Sequence, residues 1–172
     1  ITGTPTDDSI YEDDEVAAIA ISTVSGGGAT ESGTQSVSIT ITENESAPTV
    51  TLATSTSSVT ENSGTTVTLT ATASQAADED ITVTLSTSGT ATNGTDYSAI
   101  NTQTITIAAG STTGTKSFTP ADDSVYEDDE VATIAISDVS GGGAIENGTQ
   151  SVSITITEDE SIPTITMSAS QT

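Results

Sequence analysis

The heptad SVSITIT at residues 151–157 reads as a β-strand. Val152, Ile154 and Ile156 point to one side and Ser and Thr to the other, with the two-residue period of a pleated strand. The same seven letters occupy residues 36–42. Working outward from them, the identity widens. Residues 4–51 (TPTDDSIYEDDEVAAIAISTVSGGGATESGTQSVSITITENESAPTVT) return 115 positions later as residues 119–166 (TPADDSVYEDDEVATIAISDVSGGGAIENGTQSVSITITEDESIPTIT), with 39 of the 48 aligned positions identical. A repeat of this length is a whole domain, too large for one coil of a solenoid. The chain is therefore read as the C-terminal half of one repeat (1–46), one complete repeat (47–161) and the first strand of the next (162–172).

Period-2 alternation predicts seven strands in the complete repeat. They fall at 49–59 (A), 65–73 (B), 81–87 (C), 103–108 (D), 113–119 (E), 131–137 (F) and 150–157 (G). Thr recurs on the polar face, where its β-branched side chain supports an extended backbone. No stretch carries a helical period. The expected fold is all-β, an immunoglobulin-like seven-stranded antiparallel sandwich in tandem repeats of about 115 residues. Aromatics are 2% of the residues, so aliphatic side chains must fill its core.

Charge narrows the partners. The sequence has 25 acidic residues, one basic residue (Lys116), no His and no Cys, for a net charge of −24. Nucleic acid and anionic membrane surfaces are excluded, because both need a basic footprint. High charge with few aromatics also describes disordered chains, but the regular alternation argues against disorder. No apolar run approaches the ~18–20 residues that span a bilayer, and no signal-peptide pattern opens the sequence. A charge of this size repels itself unless neutralised, and with so few basic groups the neutraliser must be a cation from solution.

The acidic residues can be sorted by the end of the sandwich to which their loops belong. Successive strands alternate in direction, so the A–B, C–D and E–F loops and the tail of strand G share one rim. That rim collects Glu61, Asp96, Asp122, Asp123, Glu127, Asp128, Asp129, Glu130, Glu158, Asp159 and Glu160. The other end has Asp78, Glu79, Asp80, Asp138 and Glu146, fewer and more scattered. An isolated acidic run is usually a solvated face, and Asp128 and Asp129 are read that way. Convergence of four segments is different, because crowded carboxylates raise one another's pKa unless a cation sits among them. Calcium suits the set: it takes six to eight oxygens in flexible geometry, whereas zinc, copper and iron favour His or Cys.

The motifs VTENSG, GTATNGTDYS, DDSVYEDDE and VSITITEDES occur in the order and spacing of a Calx-beta domain. This family is known from sodium–calcium exchangers and from large bacterial surface proteins. Residues 47–161 resemble it in full and residues 1–46 as a C-terminal half. The resemblance implies calcium ligands at Glu61 in the A–B motif, Asp96 in the C–D motif, Asp122, Asp123, Glu127 and Glu130 in the E–F motif, and Glu158, Asp159 and Glu160 in the tail. The matching positions of the half repeat are Asp7, Asp8, Glu12, Glu15, Glu43 and Glu45. The tail is often all Asp in that family but is Glu-Asp-Glu here, and the middle position of the half repeat is Asn44, which lowers the local charge.

Other motifs carry less. Gly26, Gly27 and Gly28, like Gly141, Gly142 and Gly143, lack the following Lys and the helix of a phosphate loop and read as a flexible F–G hairpin loop. Tyr11, Tyr97 and Tyr126 are expected to pack the base of the calcium loops. Asn44, Asn93 and Asn147 lie in N-x-Ser/Thr sequons, which a Ser/Thr-rich chain produces by chance. Without His or Cys no nucleophile–base pair can be assembled, so no enzymatic activity is expected.

The expected function is a structural one: a calcium-rigidified stalk of a large secreted or cell-surface protein, such as a bacterial adhesin. Pro48 and Pro163 would restrict the short junctions between repeats. The alternatives are a segment of an extracellular filament or surface layer, with contacts between neighbouring copies, and a calcium-sensing module. The expected partners are calcium and adjacent repeats. Residues 1–46 would expose Ile19, Ile21, Ile39 and Ile41 as an unpaired half sandwich, so the sequence is read as a window on a longer array, or as one whose ends are covered by neighbouring copies.

Overall fold

The computed structural model describes residues 2–100 and 103–170. Residues 1–46 contribute a hairpin of β1 (Glu15–Ala20) and β2 (Ser36–Ile41), paired antiparallel as a two-stranded sheet of its own. The strands that follow are β3 (Thr49–Thr54), β4 (Ser58–Thr60), β5 (Val67–Ala73), β6 (Ile81–Gly89), β7 (Thr104–Ile107), β8 (Thr113–Phe118), β9 (Glu130–Ser140), β10 (Ile145–Glu146) and β11 (Ser151–Thr157). They form a four-stranded sheet in the order β10-β3-β5-β8 and a five-stranded sheet in the order β4-β11-β9-β6-β7. This is the expected immunoglobulin-like sandwich, with nine strands in place of seven because predicted strand A supplies two and the short β10 is added.

The core lies between the sheets and is aliphatic. Val50, Val67, Leu69, Val83, Ile107, Ile134 and Ile154 are fully buried. They sit at alternate positions of their strands, because successive side chains of a strand face opposite ways. One aromatic pair closes it, Tyr97 against Phe118 with ring centroids 5.0 Å apart. On β11, Ile154 and Ile156 are buried and Val152 packs against the core edge, as the alternation predicts.

Two local features depart from the expected strands. Strand A, predicted as one run over 49–59, is two strands in different sheets. β3 pairs antiparallel with β5, and β4 crosses to pair parallel with β11. Between them lie residues 55–57 (STS), which have no apolar side chain to hold the chain on either sheet. The second departure concerns residues 162–170, which form no strand. A single extended segment has no neighbour to accept its backbone hydrogen bonds.

The same heptad shows two burials. Ile154 is fully buried whereas Ile39, its equivalent in the hairpin, is 50% exposed. Ile19 and Ile21 are similarly open, and with Ile41 and Val37 they line an apolar groove of about 760 Å³.

Candidate metal centre

The candidate metal centre is assembled by strand register. β4 runs parallel to β11 with Thr60 opposite Thr157, so both strands deliver the chain to the same end at the same level. The next residues are Glu61 and Glu158. Glu61 opens a single 3-10 turn, Glu61–Ser63, ended by Gly64 at φ 61°, a left-handed value that favours glycine. β9 runs antiparallel to β11 with Glu130 opposite Ile156, which starts β9 at this same end. The loop carrying Asp96 is tied in by its backbone: Ala121 N donates to Asp96 O at 2.9 Å, and Tyr97 bridges Pro120.

Two carboxylate groups result. Glu61, Glu158, Asp159 and Glu160 each offer an oxygen within 4.8 Å of the others, and so do Asp96, Glu127 and Glu130. Glu61 is 7% exposed and is the one charged side chain buried among the described residues. Glu160 Oε2 is enclosed without a hydrogen-bond partner. Buried charge without a counter-ion is costly, and the titration behaviour reflects it. Burial, with Glu158, Asp123, Glu127 and Asp159 nearby, raises the Glu61 pKa. Burial, with a hydrogen bond to Asp96 and the charges of Asp96, Glu127 and Glu61, pushes Glu130 up to about 7. A hydrogen bond to Glu158, then burial and nearby charge, pushes Glu160 up to about 7. The same bond, with the amides of Glu160, Glu127 and Asp159, holds Glu158 at about 2. Without a cation, protons take up part of the charge.

The loop is preorganised by its own amides. Glu127 N donates to Glu158 Oε2, Glu158 N to Asp129 Oδ1 at 3.1 Å, Glu160 N to Glu158 Oε1 at 2.7 Å, and Val125 N to Asp123 Oδ1 at 2.6 Å. The pattern recurs 115 residues earlier. Glu12 N donates to Glu43 Oε2 at 2.5 Å, Glu43 N to Asp14 Oδ1 at 2.8 Å, Glu45 N to Glu43 Oε1 at 2.7 Å, and Ile10 N to Asp8 Oδ1 at 2.8 Å. Asn44 donates from Nδ2 to Asp7 Oδ1 at 3.2 Å. Asp7, Asp8, Glu12, Glu15, Glu43 and Glu45 line one small polar cleft.

Of the nine residues read as ligands in the complete repeat, seven fall in the two groups. Asp123 sits close enough to raise Glu61. Asp122 is exposed and joins neither group. Two participants escaped the sequence reading. Asp129, taken as solvent-facing, accepts the Glu158 amide, and Asn62 donates from Nδ2 to Asp159 Oδ2. A side chain that only braces a neighbouring carboxylate segment leaves no trace in the charge pattern.

Tyrosines and glycines also differ from expectation. Tyr97, next to Asp96, is buried against Phe118. Tyr11 instead reaches out of its own repeat: Tyr11 N donates to Ala76 O at 2.9 Å and Asp78 N to Tyr11 O at 3.0 Å. The loop of Gly141, Gly142 and Gly143 is packed, whereas a Cβ at Gly26, Gly27 or Gly28 would meet nothing within 4 Å. A Cβ on Gly142 would fall 2.6 Å from the Ala77 Cβ, and one on Gly143 would fall 2.7 Å from the Tyr11 Cζ.

Comparison with known proteins agrees with this architecture. The crystal structure of the apo form of the Calx CBD1 domain matches with a TM-score of 0.52 and 21% identity, over 64% of this chain and 98% of that one. The crystal structure of CBD12 from CALX1.2 matches with a TM-score of 0.49 and 22% identity, over 58% of this chain and 40% of that one. The first likeness shows a Calx-beta-like fold. No curated protein matches the sequence. The family identified from sequence is not the Calx-beta family that the motifs resemble: residues 46–159 match the model of the LapA domain. The chain belongs to the LapA domain family.

Proposed function

We propose that this chain is a non-catalytic, calcium-rigidified stalk segment of a large secreted or cell-surface protein, of the bacterial adhesin kind, built from repeats of about 115 residues. One observation carries the reading: Glu61 is buried against Glu158, Asp159 and Glu160 with no basic group in that set. A carboxylate is retained in such a place where a cation completes it. The ligands would be Glu61, Glu158, Asp159 and Glu160 in one set and Asp96, Glu127 and Glu130 in the other, with Asp123 beside the first. In the half repeat they would be Asp7, Asp8, Glu12, Glu15, Glu43 and Glu45. An all-oxygen donor set fits calcium, which supplies the positive charge that these loops lack.

Membership of the LapA domain family supports the surface-adhesin setting, and the fold likeness to a Calx CBD1 domain supports the calcium reading. The position of the centre supports the stalk. Glu158, Asp159 and Glu160 lead directly to residues 161–163, where the next repeat begins, so an ion held there would brace the junction. Calorimetric titration with calcium chloride tests the proposal. Saturable binding that Glu61→Gln weakens is expected; heat no different from that of a blank titration would overturn it.

A further inference from the structure

Tyr11 makes a contact that the calcium reading does not use. Its loop belongs to the half repeat, yet its backbone bridges Ala77 of the complete repeat as an isolated parallel pair, with hydrogen bonds on both sides to Ala76 and Asp78. Its ring lies on Gly143, where a Cβ would collide with Cε1, Cζ and the hydroxyl. Gly142 brings that loop down onto Ala77. Any side chain at Gly143 would fill the space the ring occupies, so the glycines form a seat shaped for an aromatic ring.

A second tie joins the same two units. The Gln75 side chain donates to Ser46 O, and Pro48 is fully buried at the start of β3. A junction held at one point can swing, and relative motion is the default for domains joined by a short linker. Ties on two separate segments, the linker and the Tyr11 loop, remove that freedom.

The residues that the earlier unit brings to this junction recur 115 residues on. Tyr126 occupies the place of Tyr11 between Asp123 and Glu127, Ser161 and Pro163 that of Ser46 and Pro48, and residues 162–166 (IPTIT) answer residues 47–51 (APTVT). Tyr126 is half-buried and held by a 3.3 Å hydrogen bond from its hydroxyl to Asp128 Oδ1, and the neighbouring Val125 is 61% exposed. We propose that Tyr126 is a docking residue whose partner is the next copy of this repeat, seated on that copy's equivalents of Ala76, Ala77, Asp78, Gly142 and Gly143. The inference rests on the repeat reading above and not on calcium, although Tyr126 shares its loop with the carboxylates and an ion there would stiffen its presentation.

The test uses the full chain carrying a second complete copy of residues 47–161 after Ser161. The sequence has no Cys, so spin labels can be placed uniquely at Ser153→Cys and at the same position of the added copy. Pulsed electron-spin distance measurement should give one narrow distribution. It should broaden in Tyr126→Ala, persist in Tyr126→Phe, and be unaffected by Tyr11→Ala, which loosens only the earlier junction. Placing Val at the added copy's equivalent of Gly143 attacks the contact from the other side and should broaden it too. A broad distribution before substitution, or a narrow one that survives both Tyr126→Ala and the Val variant, would overturn the proposal. Failure of the calcium reading looks different: calcium would leave the melting temperature unmoved while the Tyr126→Ala broadening remained.

Discussion

Thr60 lies opposite Thr157 in the parallel pairing of β4 with β11, and this register brings Glu61 beside Glu158. The two carboxylates reach one another from segments almost a hundred residues apart, on strands that belong to the same sheet only because strand A divides. Strand register therefore sets the spacing of the carboxylate cluster, and the loops finish it.

Glu61→Gln should act in opposite directions with and without the ion. In chelator it removes a buried charge from among Glu158, Asp123, Glu127 and Asp159 and should raise the melting temperature. In calcium it deletes a ligand, and affinity should fall by roughly 10–100-fold or more, since even residues that only brace a ligand cost that much. Thermal unfolding and calorimetric titration of the one variant check both signs.

Asp123→Asn should weaken calcium binding more than Asp138→Asn. Asp123 lies within electrostatic reach of Glu61, whereas Asp138 is in the body of β9, opposite Thr84. Titration of the two variants side by side is the check; equal losses would mean that the charge acts diffusely.

The pH dependence of the metal-free chain follows from the shifted carboxyls. Glu130 and Glu160 stand at about 7 in the folded chain against 4.5 for an ordinary Glu. The folded state thus holds more protons than the unfolded one between those values. Their contribution to stability is fully present below 4.5 and lost as pH rises through 7. Glu158 and Glu43, held at about 2, act oppositely, and their contribution is lost as pH falls from 4.5 towards 2. In chelator the melting temperature should therefore be higher at pH 5 than at pH 8. Calcium displaces those protons, so its affinity should be weaker at pH 5 than at pH 8. Melting curves and titrations at the two pH values check this.

The repeated heptad offers an internal control on packing. Ile154→Ala should destabilise the sandwich by about 2–5 kcal/mol, because the side chain is fully buried. Ile39→Ala, in the same letters but half exposed, should change the sandwich's stability by less than about 0.5 kcal/mol. Denaturant unfolding of both variants decides it.

Much of this architecture was legible because alternation is a local property. Ile154 and Ile156 declare their inward face in seven letters, and the end at which Glu61, Asp96, Glu130 and Glu158 meet follows from counting strand reversals. What stayed hidden depends on pairing between distant segments. The transfer of residues 58–60 to the second sheet rests on a parallel partner about a hundred residues away, and residues 55–57 give no hint of it. Asp122 and Asp123 are neighbours of the same chemistry, and only the backbone decides which faces Glu61. Asp129 and Asn62 act by bracing Glu158 and Asp159. Tyr11 looked like a residue for its own loop because its seat, Gly143 and Ala77, belongs to the other repeat.

The most direct test of the calcium-rigidified account is the melting temperature of the unaltered chain, measured in calcium and in chelator at neutral pH. A ligand that binds only the folded state adds about 2.7 kcal/mol at a free concentration roughly 100-fold above its dissociation constant, which for a domain of this size is a rise of roughly 10 °C. The account predicts a rise that grows with calcium concentration and that Glu61→Gln reduces; a melting temperature that calcium leaves unchanged would contradict it.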